Sequence, residues 1–327
     1  MTSYEPVLRL NMSNQADDPA VESERYRNAI DMAAFADVND FAVVNVEEHH
    51  DVPIGWLPSP LMLAGMIASR TGRIRIRGSA VLGTLYDPIR LAEDVAILDL
   101  VSQGRFSMVL GQGYRASEYH AMDRDFTTRG PDTDFLIDTL LKAWSGEPFD
   151  YRGRTVHVSP TPCTRPHPKI YYGGMSPAAA RRAARWGLPF LPGQPMPEME
   201  AIYTAECERL GKVPQVESFT DLTQIFVDPD PDEAWEELGP YFLKEVAQYA
   251  EWTRTGVKRF YNAGSESIRA LRDAGTYEIL TPEQCRERAR SLDRPWRPIL
   301  HPLAGGIPIE RAWQSLRLFV DEVLNGR

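Results

Sequence analysis

The sequence predicts an α/β protein: a single (β/α)8 TIM barrel over residues 1–327, with an insertion after strand seven at about 252–280. Three observations lead there. Short β-rich runs alternate with helical stripes eight times, and no run of strands stands alone; parallel strands need crossovers, so this alternation means a parallel sheet. No G-x-G-x-x-G follows the first strand, which disfavours an open dinucleotide-binding sheet. No Gly-, Ser- or Pro-rich stretch is long enough to link two domains, and barrels of this kind run about 250 residues or more as one domain.

The elements follow in order. Val7–Asn11 alternates apolar and polar residues as a short strand does. A helical stripe runs from Val21 to Asp37. Phe41–Val46 is β-rich and too brief for a helix, and Pro60–Thr71 is helical, with Ser59 placed to cap it and Pro60 in its first turn. Arg73–Leu82 alternates at period two, and Pro88–Gln103 is a helix that Gly104 ends in a left-handed conformation. Arg105–Leu110 is a strand running into glycines; a helix follows from Thr133 to Trp144, then a hairpin over Phe149–Val158 turning at Arg152-Gly153. The remaining pairs are Lys169–Tyr172 with Ser176–Trp186, Leu188–Leu191 with Glu198–Leu210, and Phe219–Val227 with Asp232–Ala250. After the poorly patterned insertion come a helix over Pro282–Leu292, a strand over Pro298–Leu303 and a last helix over Pro308–Leu324.

Composition excludes several classes. The formal net charge is −10, which argues against nucleic-acid binding. The longest apolar run, Leu61 to Ala68, is well short of the roughly 20 residues of a membrane helix. The opening MTSYEPVLRL has no basic segment followed by an apolar stretch, so no secretory signal is expected. Three widely spaced cysteines, Cys163, Cys207 and Cys285, build neither a disulfide framework nor a zinc site and suit a reducing cytoplasm.

In a barrel the reactive groups follow the strands' C-terminal ends. After strand two comes Glu47-Glu48-His49-His50; after strand three, Ser79-Ala80; after strand four, Gly111-Gln112-Gly113-Tyr114-Arg115; after strand five, Gly173-Gly174-Met175-Ser176-Pro177. The last has two glycines that let backbone approach closely, a hydroxyl, and a helix N-terminus offering N–H groups to an anion such as a phosphate. Ser176 could equally serve only as a helix cap. Neighbouring residues on an extended segment point to opposite sides, which disfavours a metal site at Glu47–His50. One histidine then faces the barrel mouth as an acid or base, and the other is structural.

The order of these motifs resembles that of the bacterial luciferase-like flavin-dependent monooxygenase family. The matching stretches are Ala33–His50, Ser59–Arg70, Asp87–Tyr119, Leu140–Gly153, Pro168–Gly187 and His301–Val323. The resemblance implies a (β/α)8 barrel, a homodimer, and reduced FMN supplied by a separate flavin reductase. It implies that O2 forms a flavin C4a-hydroperoxide that oxygenates a small organic substrate. His49 then matches the family's proton-transfer histidine and Glu48 precedes it. Ser79 and Ala80 match a strand-three bulge, often a cis peptide, that supports the flavin ring. Gln112, Gly113, Tyr114, Gly173, Gly174, Met175, Ser176 and Ala179 match positions around the cofactor and its phosphate.

Three departures stand out. An arginine that commonly holds the phosphate is Gln112, a loss of about 1.5–3 kcal/mol in charge-assisted hydrogen bonding unless Arg115 or Arg181 compensates. A tryptophan of strand two is Asn45, and the reactive cysteine of luciferase itself is Gly111, so light emission and long-chain aldehydes are not expected. The same fold also serves deazaflavin F420-dependent hydride transfer, an alternative the neutral Gln112 argues against, and low-turnover flavin-binding subunits. Asn11, Asn45 and His120 are candidate substrate contacts. Arg90, Glu93, Asp94 and Asp99 read as helix-face ion pairs or a dimer interface, and Trp144, Trp186 and Trp313 as packing residues. Tyr171 and Tyr172 point to opposite faces of strand five.

Overall fold

A computed structural model describes residues 4–14, 18–52, 55–217, 222–253 and 260–326. In chain order it contains β1 (Val7–Leu10), α1 (Pro19–Val38), β2 (Val43–Val46), α2 (Pro60–Arg70), β3 (Arg75–Val81), α3 (Pro88–Ser102), β4 (Phe106–Leu110), α4 (Ala116–Ala121) and α5 (Arg129–Trp144). Then come β5 (Phe149–Tyr151), β6 (Arg154–Val156), β7 (Lys169–Gly173), α6 (Pro177–Trp186), β8 (Phe190–Leu191), α7 (Pro197–Arg209), β9 (Gln224–Val227), α8 (Pro231–Trp252), α9 (Ile268–Ala274), β10 (Tyr277–Leu280), α10 (Pro282–Ser291), β11 (Ile299–Leu300) and α11 (Ile309–Leu318). Helices α1, α2, α3, α6, α7, α8 and α10 each open with proline, whose fixed φ suits a first turn and whose missing N–H is no loss there.

The chain divides into two compact units, one of Met1–Asn45, Val52–Leu57 and Asp221–Arg327, the other of Val46–Asp51 and Pro58–Thr220. In the first unit the strands lie in the order β10-β9-β11-β1-β2. Tyr277 pairs with Gln224, Ile299 with Gln224 and Val7 with Ile299, all parallel. Leu8, Leu10 and Val44 are fully buried. Phe242 of α8 stacks on Tyr277 with centroids 4.4 Å apart, and each such buried side chain contributes about 1.5–3 kcal/mol. The Arg25 guanidinium on α1 donates to the carbonyls of Ser13, Leu303 and Ile307, tying the helix to the loop between β11 and α11. Trp313 packs edge-on against Phe35 and donates to Asn28, as a packing residue should.

In the second unit the order is β3-β4-β7-β8, parallel throughout. α2 and α3 pack together, and so do α6 and α7. The expected hairpin is β5–β6, and Arg152 and Gly153 turn it with φ of 53° and 77°. Trp144 donates to the Ala92 carbonyl, and Trp186 donates to Asp134, joining α6 to α5. Tyr171 packs with Val109 and Leu191, whereas Tyr172 points to the opposite face, toward Arg182 on α6.

Several expectations need correction. Tyr277–Leu280 is no part of an insertion: it is a sheet strand, in register with all of β9. A four-residue run after a short helix, with Glu278 among its apolar residues, has too weak a local pattern to reveal itself, and only the pairing defines it. Residues 254–259 of that expected insertion, and the start of the Phe219–Val227 strand, lie outside the described residues. Helix α5 starts at Arg129 rather than Thr133, because Gly130-Pro131 is tolerated in a first turn. Ser59 makes no side-chain cap, and Gln103 enters the left-handed region (φ 54°) ahead of Gly104. Arg90 does pair with Asp94 at 3.0 Å, but Asp99 is fully buried and receives the Thr164 amide and hydroxyl.

Candidate active site

The chemistry-bearing segments of the second unit meet beyond the C-terminal ends of β3, β4 and β7. Glu48, His49 and His50 follow β2 in extended conformation. The Glu48 carboxylate is buried and fully used: it accepts from Leu82 N (2.7 Å), Tyr86 Oη (2.8 Å) and, at 2.8 Å, the His50 Nε2. Burial and the neighbouring Glu48 push the Tyr86 phenol far up, so Tyr86 stays a donor. With both oxygens engaged, Glu48 is a bracket for its segment and does not present a free acid to a ligand.

His49 is 9% exposed, with Nδ1 3.8 Å from Glu118 Oε1. Glu118, on α4, is 1% exposed and accepts from the His50 amide at 3.1 Å. Arg115 completes the arrangement: one guanidinium nitrogen donates to the His50 carbonyl at 2.7 Å and meets Glu118 at 3.3 Å, and the other donates to the Asp51 carbonyl at 2.9 Å. This fork explains why Arg115 is not a spare phosphate ligand. Sequence reasoning missed Glu118 and Tyr86, because a Glu on a short helix and a Tyr before Asp87-Pro88 look like surface residues. The only available signal was the position of both inside the matching Asp87–Tyr119 stretch or at its edge.

The Ser79–Ala80 peptide is cis, and the β3/β4 register shifts between Ser79 and Val81. A Cβ on Gly111 would come within 2.9 Å of Ala80 Cβ, so a side chain at 111 collides with the bulge. Gln112 donates through Nε2 to the Arg129 carbonyl and Thr133 Oγ1, which commits both amide hydrogens to α5. Its carbonyl accepts from Tyr119 Oη, itself paired with Thr84. Gly113 has φ of 70° and Tyr114 is half-buried.

Gly173 ends β7 and Gly174 takes φ of 148°, where a Cβ would lie 2.5 Å from that of Ala179. The turn therefore brings backbone directly onto the first turn of α6. Ser176 is exposed and caps α6 by accepting from Ala179 N at 3.3 Å, which leaves its O–H to donate. Met175 is half-buried beside Gly193. Close backbone, a hydroxyl and a helix N-terminus together suit a flavin phosphate without an arginine. Arg181, one turn into α6, is exposed in the field of Glu206 on α7.

The proposed substrate contacts separate. His120 is exposed on α4, facing Asp125. Ala42 N donates to Pro6 O, a parallel register that sets Asn45 beside Leu10 and hence on the opposite face of the sheet from Arg9 and Asn11. Asn11 is fully buried in the first unit. Among the described residues no cluster of His, Cys, Asp and Glu suits a metal ion, and no helix is long and apolar enough to cross a membrane.

Comparison with known proteins adds the following. Residues 9–295 match the luciferase-like monooxygenase family. The chain is similar to the oxygenase component of a flavin-dependent trigonelline monooxygenase from Acinetobacter baylyi, 23% identical over 53% of this chain and 50% of that protein. It is also similar to the alkanal monooxygenase beta chain of Photobacterium leiognathi, 26% identical over 68% and 72%. Against the first curated relatives the match spans only about half of their length, 47% and 52%. Among solved structures, monooxygenase RslO1 from Streptomyces bottropensis superposes with a TM-score of 0.75 at 20% identity, over 98% of this chain and 99% of that one. The oxygenating constituent of 3,6-diketocamphane monooxygenase of Pseudomonas putida, in complex with FMN, gives 0.67 at 14% identity, over 99% of each. These likenesses describe the fold.

Proposed function

The chain belongs to the luciferase-like monooxygenase family, and on that premise we propose that it is the oxygenase component of a two-component flavin-dependent monooxygenase, taking reduced FMN from a separate reductase and using O2 to oxygenate a small organic molecule. The observation that carries this reading is His49, nine-tenths buried and turned toward Glu118 in a segment clamped by Glu48 and Arg115. The closed (β/α)8 barrel is part of the same proposal, supported by strand–helix alternation in each unit.

Reduced flavin, when bound, supplies the electrons that activate O2. The chain's own residues do the rest. Ser176, Gly174 and the α6 N-terminus hold the phosphate, with Gly173, Met175 and Ala179 shaping that turn. Ser79 and Ala80 would support the ring, and Gln112, Gly113 and Tyr114 would lie around the phosphate. Glu118 faces His49 Nδ1 and so directs Nε2 outward, where it holds or delivers one proton. Glu48 positions the segment. The walls exclude water from the reacting centre.

Stopped-flow mixing of the FMN-reduced protein with O2 tests this: reoxidation is expected to slow and to pass through a spectrum distinct from both end states. Reoxidation at the rate of free flavin refutes it. His49→Ala is expected to keep FMN affinity and lose that transient. Tighter binding of F420 than of FMN in a titration would replace oxygenation by hydride transfer.

A homodimer is also proposed, through α2 and α3, which pack together and expose Met62, Met66, Ile97 and Val101 at helical i, i+4 spacing. The free Cys163, Cys207 and Cys285 suit a reducing cytoplasm, the compartment we propose.

A further inference from the structure

The first unit contains a buried polar cluster that the proton and flavin chemistry above does not use. Arg9, on β1, is 2% exposed and donates to Gln224 (3.2 Å), Glu245 (3.4 Å) and Tyr249 Oη (3.0 Å). Glu245, on α8, also accepts from Tyr277 Oη at 2.7 Å, from the Ser13 hydroxyl, and from Gly305 N at 3.2 Å. Arg9 and Glu245 therefore balance each other's charge and hydrogen bonds. Arg25 is committed to the carbonyls of Ser13, Leu303 and Ile307.

Two buried donors here remain without a partner among the described residues, Arg25 Nε and Asn11 Nδ2, and Asn11 is the one at a strand end. It directly follows β1, at the strand end where α/β barrels place reactive groups. The Ser13 amide donates to its side chain at 3.0 Å, and a backbone N–H can only donate, so the atom it meets is Oδ1. The same oxygen lies 3.0 Å from His301 Nε2, which must then carry its hydrogen. The amide orientation is thus locked from two sides. Its Nδ2 is buried and has no partner among the described residues. A buried unsatisfied donor costs about 1–3 kcal/mol, so an acceptor belongs there. Along the same stretch Leu57 N donates to the Asn11 carbonyl and Trp56 N to that of Met12. The Trp56 ring packs against Tyr249 and Trp252, with centroids 4.9 and 4.7 Å away.

We infer that Asn11 Nδ2, held by Ser13 and His301, is a binding site for the neutral carbonyl oxygen of an apolar small molecule. An amide nitrogen only donates, so the ligand must present an acceptor. A carboxylate would bring a second buried anion near Glu245, and the described cations beside it, Arg9 and Arg25, already donate to other acceptors, so the site favours a ketone or an amide over an acid. Calling that ligand the substrate rests on the monooxygenase reading; the binding itself does not.

The test is a titration of the full-length protein, labelled with 15N in its seven asparagines, with cyclohexanone and, separately, cyclohexanecarboxylate, followed by side-chain amide NMR. Cyclohexanone is expected to shift the Asn11 amide pair saturably, and the carboxylate to leave it in place. In Asn11→Ala cyclohexanone affinity is expected to fall about tenfold, the size of one neutral hydrogen bond. If that variant does not fold, the wild-type titration decides alone. An Asn11 signal unmoved by cyclohexanone, or equal binding of the carboxylate, overturns the inference. No flavin is present, so failure here leaves the oxygen-transient experiment standing, and failure there leaves this one standing.

Discussion

Glu48 is the residue on which the geometry of the candidate site depends most. Replacing it with alanine strips the acceptor from three donors at once: the Leu82 amide, the Tyr86 hydroxyl and the His50 ring. A buried donor left unsatisfied costs about 1–3 kcal/mol. Leu82 is buried, whereas Tyr86 and His50 are half-buried and can recover part of the loss through water. The expected total for Glu48→Ala is about 3–5 kcal/mol, a large share of the roughly 5–15 kcal/mol that holds a protein folded. Glu48→Gln keeps the shape and one oxygen. With that oxygen on Leu82 N, its NH2 faces Tyr86 Oη and His50 Nε2, which can both turn to accept. Charge-assisted bonds become neutral ones, at about 1–2 kcal/mol. Urea unfolding at neutral pH measures both variants, with Tyr86→Phe closing a double-mutant cycle against Glu48→Gln. A loss below about 1 kcal/mol for Glu48→Ala, or equal losses for the two variants, refutes the bracket.

Three further outcomes are expected. Burial alone would raise the Glu245 carboxyl, but His301, Arg9 and the hydroxyls of Ser13 and Tyr277 hold it down, from 4.5 to about 2. A depressed carboxyl stabilises the fold above its unfolded pKa, so about 3 kcal/mol is present above pH 4.5 and is lost progressively as pH falls toward 2. Urea midpoints of wild type and Glu245→Gln are therefore expected to converge over that window; a pH-independent difference contradicts it. Arg115→Ala strands the buried Glu118 and frees the His50 and Asp51 carbonyls, with an expected loss of about 3–5 kcal/mol; Arg115→Lys restores only part, since an ammonium cannot fork to both carbonyls. Equal stability of Arg115→Lys and wild type in the same unfolding assay would show that the fork has no special role. Met62→Glu combined with Ile97→Glu is expected to give a monomer by sedimentation velocity with FMN binding kept; an unchanged sedimentation coefficient rejects the α2/α3 interface.

Much of the site was legible because its segments are local. Glu48-His49-His50, Ser79-Ala80 and Gly173 to Ser176 each sit at or just past the C-terminal end of a strand whose own pattern marks it, so finding the strand finds the segment. Arg115, Glu118 and Gln112 were not readable in the same way. Their residue types allow a phosphate ligand, a surface ion pair or a clamp, and only the partners they meet distinguish these roles. His120 and Asn45 were hard to place from sequence for a simpler reason: one position in a helix or one step of strand register turns a side chain to the other face.

By itself the sequence determined the α/β class, nearly every helix and strand, and the chemistry available at each strand end, because period and capping are local physics. Only the tertiary structure decided that Tyr277–Leu280 is a sheet strand, that Glu48 is spent holding its neighbours, and that Asn11 carries a donor with no partner among the described residues. Each of these depends on contacts between residues distant along the chain, and no local window of sequence contains both partners.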